Sequence, residues 1–377
     1  MKAPPILMRW TWLRRAITIP AVVVLALWLW GLFPVWLVVA AFASRFVPGR
    51  WRILRLLWFF VVYLALELVV LGALLVLWVR AGFGRTIRGE ASQRRHYALM
   101  GWFLDRLVAT ARRTFNLTFH YDEDIVTSAS TAARGDAGDA SEDRPRLVFC
   151  RHAGPGDSLL LIDGVLNRAH RRPRIVLKDF IQFEPAIDVI LNRVPTEFVP
   201  SARHGGEVVA RAIARLAGSA GPQDSFVLFP EGGNVTDRRR DAAVAKLRSI
   251  GRDDLAARAE ALDHLLPPKP LGALAAIEAA PEAEVVFVGH HGLERLSGLG
   301  DLWRGLPMDF TVRVRTWRVA PTDVPPAGER EDWLYARWEA LDAWIGDCFA
   351  AEAAALGEAA ASTPGADGAP DRSGPGS

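Results

Sequence analysis

From Ala16 to Ser44 the chain carries no charged residue. An apolar run longer than the roughly 20 residues that cross a hydrocarbon core limits the possible folds more than any other feature. A second run, Leu56 to Val79, is interrupted only by Glu67, and a short basic turn containing Arg45, Pro48, Gly49, Arg50 and Arg52 joins the two. The pattern predicts a two-helix transmembrane hairpin within residues 1–88. Trp10, Trp12, Trp51 and Trp78 fall near the ends of the runs, where indole rings favour the membrane interface. Pro20 and Pro34 predict kinks in the first helix. Glu67 is costly in lipid and is expected to face a partner or water without a catalytic part. Arg14, Arg15 and Ala41-Phe42-Ala43 imitate a signal peptide. The run is about twice the usual signal core, however, and a second run comes after it, so a retained anchor is expected. Lys2, Arg9, Arg14, Arg15 and the basic residues from Arg80 to Arg95 outnumber those of the connecting turn. That bias places the protein in the cell membrane, integral, with its larger part on the cytoplasmic side.

With 377 residues, the chain has room for one globular domain of ordinary size behind the anchor. Its 45 Lys and Arg nearly balance 42 Asp and Glu, but the basic residues crowd the first hundred positions. This asymmetry points to an anionic phospholipid bilayer as partner and not to nucleic acid, for which no motif is present. The two cysteines, Cys150 and Cys348, lack the paired spacing of zinc sites or disulfide frameworks. Cys150 closes an apolar run and reads as a small core residue. No metal is implied, because candidate ligands are not clustered; His264, His290 and His291 read as structural.

Behind the anchor, His96 to Phe115 has the periodicity of an amphipathic helix. Short apolar strands are predicted at Leu117–Tyr121, Arg146–Cys150, Ile175–Lys178, Glu197–Val199, Ser225–Phe229 and Val285–Gly289. Helices at Ser158–Arg168, Phe180–Asn192 and Glu207–Ala217 separate them. Asp309–Val319 alternates like an edge strand, and Glu329–Ala355 reads as a long final helix. The alternation gives an α/β fold, a mixed central sheet flanked by helices, over residues 89–355. A small, polar insertion at 128–144 and a Pro/Gly/Ser-rich tail at 356–377 are expected to be flexible.

Two constellations carry chemistry. Strand residues LVFC run into Arg151-His152-Ala153-Gly154-Pro155-Gly156-Asp157. The glycines and proline can turn the chain so that the Asp157 carboxylate meets one nitrogen of the His152 ring. The other nitrogen is then free to take a proton from a hydroxyl. Asp157 equally suits the N-cap of a helix starting at Ser158. The second constellation is Ser225-Phe-Val-Leu-Phe-Pro-Glu231-Gly232-Gly233-Asn234, with Arg238, Arg239 and Arg240 close behind. It is a buried strand stopped by proline, then a turn whose carboxylate and backbone N–H groups can approach a polar head group.

His152-x4-Asp157 together with the later Phe229-Pro230-Glu231-Gly232 resembles the glycerolipid acyltransferase family, which includes 1-acylglycerol-3-phosphate acyltransferases. The resemblance spans about Leu147 to His291, with the membrane hairpin in its expected place. It implies that His152 is the base, that Asp157 orients it, and that Glu231, Gly232 and Gly233 help hold a lysophospholipid acceptor. In the stretch between the motifs, Lys178 and Pro185 fit the family pattern. Glu197–Arg203 fits less well, and Arg203 stands where the family's phosphate-binding arginine is expected. His264-Leu-Leu-Pro-Pro-Lys269-Pro-Leu-Gly272 is similar to the Leu-Pro-Arg-x-x-Gly segment of the lysophospholipid and lysocardiolipin branch, with Lys269 in the arginine position. Arg151 replaces the common Asn, and Gly233-Asn234-Val235 replaces Thr-Arg-Ser. The resemblance implies a membrane acyltransferase of phospholipid biosynthesis with no cofactor, taking acyl-CoA or an acyl carrier protein thioester as co-substrate. Two other readings share these residues: a membrane-bound lipid hydrolase or thioesterase, and a non-catalytic scaffold. Gly-x-Ser-x-Gly is absent, which disfavours a serine hydrolase.

Overall fold

The computed structural model describes residues 10–121, 143–199, 206–296 and 299–361. Arg203, nearly all of the expected insertion and the tail beyond 361 lie outside these residues.

The first apolar run is not one helix. It divides at Leu32 into α1 (Thr11–Gly31) and α2 (Phe33–Ser44). Pro34 explains the division: it has no N–H for a carbonyl one turn back, but it fits the first turn of a new helix, where that donor is not needed. The second run forms α3 (Arg52–Arg80), and α1 and α3 are each long and apolar enough to cross a membrane. Glu90–Phe115 forms α4, capped by Asn116 in the left-handed region at φ 57°.

The helical N-terminal part does not stand apart from the sheet. Val70 and Leu74 of α3 share a core with Tyr97, Met100 and Leu104 of α4 and with Val148, Cys150 and Ile175 of the strands. Polar links reinforce this contact at a short helix, α6 (Pro185–Leu191). Arg14 and Arg15 reach Asp188 at 2.7 and 2.9 Å, and Arg14 also donates to Gln182 at 3.0 Å. Glu67 accepts the Ala186 N–H at 2.9 Å, and the Tyr63 hydroxyl donates to Glu184 at 2.9 Å. The partner expected for Glu67 is therefore the N-terminus of α6, where orphan N–H groups and the helix dipole favour a carboxylate.

Arg14 is 1% and Asp188 0% exposed. Asp188→Ala removes the buried carboxylate that Arg14 and Arg15 share, and breaking a buried ion pair typically costs about 3–5 kcal/mol. A matching loss of thermal stability in detergent micelles is expected; an unchanged unfolding temperature would show that the link contributes nothing.

The sheet has seven strands in the order β1-β7-β6-β2-β5-β3-β4. They are β1 (Thr118–Tyr121), β2 (Arg146–Cys150), β3 (Arg172–Lys178), β4 (Thr196–Val199), β5 (Asp224–Leu228), β6 (Glu284–His291) and β7 (Thr311–Val319). Every pairing is parallel except β6 with β7, so the sheet is mixed, as expected. β7 is not an edge strand: β1 pairs beside it with Thr118 opposite Thr311. Central strands β2, β5 and β6 are buried along their whole length, because helices cover both faces, and they read as continuous apolar runs for that reason. The last helix, Arg330–Ala361, continues past residue 356, into the stretch expected to be flexible. Its Trp338 is fully buried and donates to the Leu266 carbonyl at 3.0 Å.

Candidate active site

β2 and β5 are parallel neighbours, with Phe149 opposite Leu228. Their carboxyl ends therefore open side by side, the place where parallel sheets present functional loops. His152 comes directly after β2, and Phe229-Pro230-Glu231-Gly232 directly after β5. Both chemical constellations leave the sheet at one edge.

After His152 the chain enters α5 (Pro155–Asp163), which starts earlier than the expected Ser158. Asp157 is therefore not the N-cap residue; it occupies the third helical position and reaches back. Its Oδ2 accepts the N–H of Ala153 at 2.6 Å and of Gly154 at 3.0 Å, half of a capping box. The same carboxylate meets His152 Nδ1 at 2.9 Å, while Ser158 Oγ donates to its other oxygen at 3.2 Å. Burial alone would raise the Asp157 pKa, but the hydrogen bond from His152 and those from the backbone outweigh it and hold the group below its ordinary value. A charged acceptor at Nδ1 fixes the proton there and leaves Nε2 as the basic nitrogen. The imidazole keeps 22% side-chain exposure, so a substrate can reach it.

The second constellation holds the same histidine. The Phe229 ring lies 4.9 Å from the imidazole, and Glu231 Oε1 accepts the His152 backbone N–H at 3.1 Å. Glu231 is only 2% exposed, and its Oε1 faces the His152 turn. Desolvation pushes its pKa up to about 8, against the pull of Arg151 and of backbone donors at His152 and Leu266.

Gly232 closes the turn in the left-handed region at φ 70°, its N–H bonded to the Phe229 carbonyl at 3.0 Å. A Cβ at this position would collide with Lys269 Nζ. At Gly233 a Cβ would lie 2.8 Å from Arg239 Nη1. The two glycines thus make room for cations. Lys269 is tied to the turn by its own N–H, which donates to the Pro230 carbonyl at 2.9 Å, and Arg239 is held by the carbonyl and side-chain oxygens of Asn234 at 2.8 and 2.7 Å. Although Lys269 keeps solvent access as a residue, its ammonium is partly desolvated. That desolvation, together with the smaller effect of the like charges of Lys178, Lys246 and Arg239, lowers its pKa. Mutually repelling cations gathered at the turn that carries Gly232 and Gly233 suit an anion.

Lys178 and Lys269, prominent in the sequence motifs, belong to this cluster. Lys246 stands outside every motif. It lies seven residues beyond Arg239 on the helix Asp237–Ser249, a spacing that puts both on one face. Arg151 is buried and donates to the His290 carbonyl at 2.6 Å, which anchors the strand end before His152. Cys150 is buried, and desolvation keeps its thiol protonated, unlike a nucleophile. His264 stacks on Phe349, and His291 lies between Glu294 and Glu352 at 3.1 and 3.3 Å.

On the other side of Asp157 a cavity of about 100 Å³ runs along the sheet under α5. Val148, Cys150, Val288 and Val314 are among its lining residues, and its walls are mostly apolar.

No family model, curated protein or solved structure matches the chain.

Proposed function

We propose that the protein is an integral membrane acyltransferase that moves a fatty acyl group from a thioester to the hydroxyl of a lysophospholipid such as 1-acylglycerol-3-phosphate. In this reading Nε2 of His152 takes the hydroxyl proton, and the oxygen attacks the thioester carbonyl carbon. The C–O bond forms and the C–S bond breaks. The departing thiolate receives the proton from the imidazolium, which Asp157 stabilises meanwhile. No protein nucleophile is needed.

The observation that carries the proposal is the convergence of two separate segments on one imidazole: Asp157 at Nδ1, with Phe229 and Glu231 fixing the ring and the backbone. Glu231 is a positioning residue here. Lys178, Arg239, Lys246 and Lys269 supply positive charge for the acceptor phosphate. The mostly apolar cavity beside Asp157 has room for a few methylenes of an acyl chain, each contributing about 0.8 kcal/mol on burial. Exposed apolar residues on α1 and α3, such as Val24, Leu27, Val69 and Leu75, fit a lipid environment. A membrane anchor brings the site to substrates that already reside in the bilayer, and the Lys/Arg distribution favours the cytoplasmic side.

The test is thiol release by the purified full chain in mixed micelles, from acyl-CoA and from acyl carrier protein thioesters, with and without lysophospholipid. Release that depends on lysophospholipid is expected. Free acid formed at the same rate without it would replace the transferase with a hydrolase. Lys269→Ala removes one charge-assisted contact to phosphate. Such contacts contribute about 1.5–3 kcal/mol, so the acceptor KM is expected to rise by roughly tenfold or more with a smaller change in kcat. An unchanged KM would take Lys269 out of the acceptor site.

A further inference from the structure

The cavity beside Asp157 carries more polarity than a plain hydrocarbon chain requires. Its sheet-facing wall includes His290 of β6 and Thr316 of β7. His290 is 3% and Thr316 6% exposed; Oγ1 of Thr316 has no hydrogen-bond partner, and the Arg151 backbone and Asp157 Oδ2, the groups nearest the His290 ring, fall short of hydrogen-bonding geometry. Leaving such a buried group unsatisfied costs about 1–3 kcal/mol. Two of them on one apolar wall point to a ligand that completes them.

The two groups line one cavity from neighbouring strands. In the antiparallel β6–β7 ladder Val288 faces Thr316 and His290 faces Val314, so His290 and Thr316 are diagonal neighbours. Diagonal neighbours on one face lie within about 7–8 Å, close enough for a single oxygen to sit between their polar atoms. His290 is neutral at pH 7: burial first, then the charge of Arg151, holds its pKa down to about 4, against the opposing pull of Asp157, Glu294 and the Arg151 backbone. A neutral imidazole offers one donor and one acceptor, and a threonine hydroxyl offers both. That set matches an alcohol better than a carboxylate or an amine. His290 Nε2 stands 3.9 Å from Asp157 Oδ2, beyond hydrogen-bonding reach but next to the carboxylate that orients His152. The polar pair therefore marks the catalytic end of the cavity, whereas Arg146 and Arg318 mark the other.

We propose that the acyl chain taken by this cavity bears an oxygen close to its thioester end, and that 3-hydroxyacyl thioesters are the preferred donors, their hydroxyl bound between His290 and Thr316. This rests on the acyltransferase reading above. His290 and Thr316 are then specificity residues; the group transferred and the bonds made and broken stay the same.

The experiment compares 3-hydroxytetradecanoyl and tetradecanoyl thioesters, on CoA and on acyl carrier protein, with 1-acylglycerol-3-phosphate as acceptor and the full chain in phospholipid–detergent micelles. Wild type is expected to prefer the hydroxylated chain by roughly tenfold in kcat/KM, the value of one or two satisfied hydrogen bonds. Thr316→Val and His290→Leu should bring the ratio towards one. The (R) and (S) 3-hydroxy enantiomers, compared on wild type alone, give a readout that needs no variant: a built site transfers them at different rates. Equal transfer of hydroxylated and plain chains, or of the two enantiomers, would overturn the proposal while leaving the acyltransferase reading in place. Transfer of none of these thioesters to any lysophospholipid would overturn both.

Discussion

His152→Ala is expected to lower acyl transfer by about a hundred- to ten-thousand-fold, the range that a positioned general base contributes. The unfolding transition should move only modestly, because Asp157 loses the imidazole but keeps the Ala153 and Gly154 N–H groups and the Ser158 hydroxyl. The imidazole is partly solvent-exposed, and its described contacts are Asp157 and the Phe229 ring, so no cavity opens in either main core when it is removed. Thermal unfolding and transfer measured on the same preparation separate the two effects. Loss of both together would make His152 structural, and retention of both would favour a scaffold that binds lipid without chemistry.

The second large effect is expected at Glu231, on stability and not on proton transfer. Its folded pKa of about 8 exceeds the ordinary value of 4.5, so the native state holds a proton that the unfolded chain releases. This group's contribution to stability is therefore complete below about pH 4.5, declines as the pH rises towards 8 and is flat above it. Glu231→Gln keeps an oxygen for the His152 N–H and removes the titration. The unfolding temperature of the variant should overtake that of wild type progressively between pH 5 and 8, an interval set by this shift. Parallel curves across that interval would mean that the carboxylate is not desolvated under the His152 turn.

The layered α/β architecture is legible in the sequence because its signals are local. Apolar runs of strand length alternate with helical periods, and the two motifs stand at strand ends where the structure also has them. Features that depend on pairing across the chain are not legible. Asp309–Val319 alternates as an edge strand would, yet β1, four residues contributed from far upstream, pairs beside it and makes it interior. The division of the first apolar run at Leu32 is written in Pro34, whose missing donor suggests a kink in the sequence but starts a new helix in the structure.

The site shows the same limit. That Asp157 reaches His152 is a consequence of the short turn between them, and the structure adds that this carboxylate also caps α5. In the sequence the N-cap and orienting roles look like alternatives; one carboxylate at the third helical position serves the helix and the imidazole at once. Glu231 reads as a head-group contact because a glycine turn looks open in sequence. Its burial depends on β5 lying against β2, which no local pattern states. Lys246 escapes sequence reasoning because its link to Lys269 runs between separate segments, and a lysine on a charged helix face has no signature of its own.

Arg14, Arg15, Tyr63 and Glu67 alter the picture of the N-terminal helices as a passive tether. They bind α6 through buried polar contacts, and Val70 and Leu74 extend the core of the sheet into α3. Truncation before residue 89 would expose that core, so enzymatic work calls for the full chain in a lipid or detergent environment.

The most direct test of the central claim tracks an isotopically labelled acyl group in vesicles that contain lysophospholipid and either wild type or the His152→Ala variant, with the products identified by mass spectrometry. The account predicts label in a diacyl phospholipid with wild type, one free thiol released per lipid formed, and no such product with the variant. Label appearing only as free fatty acid, or equally in the lipid with both proteins, would contradict it.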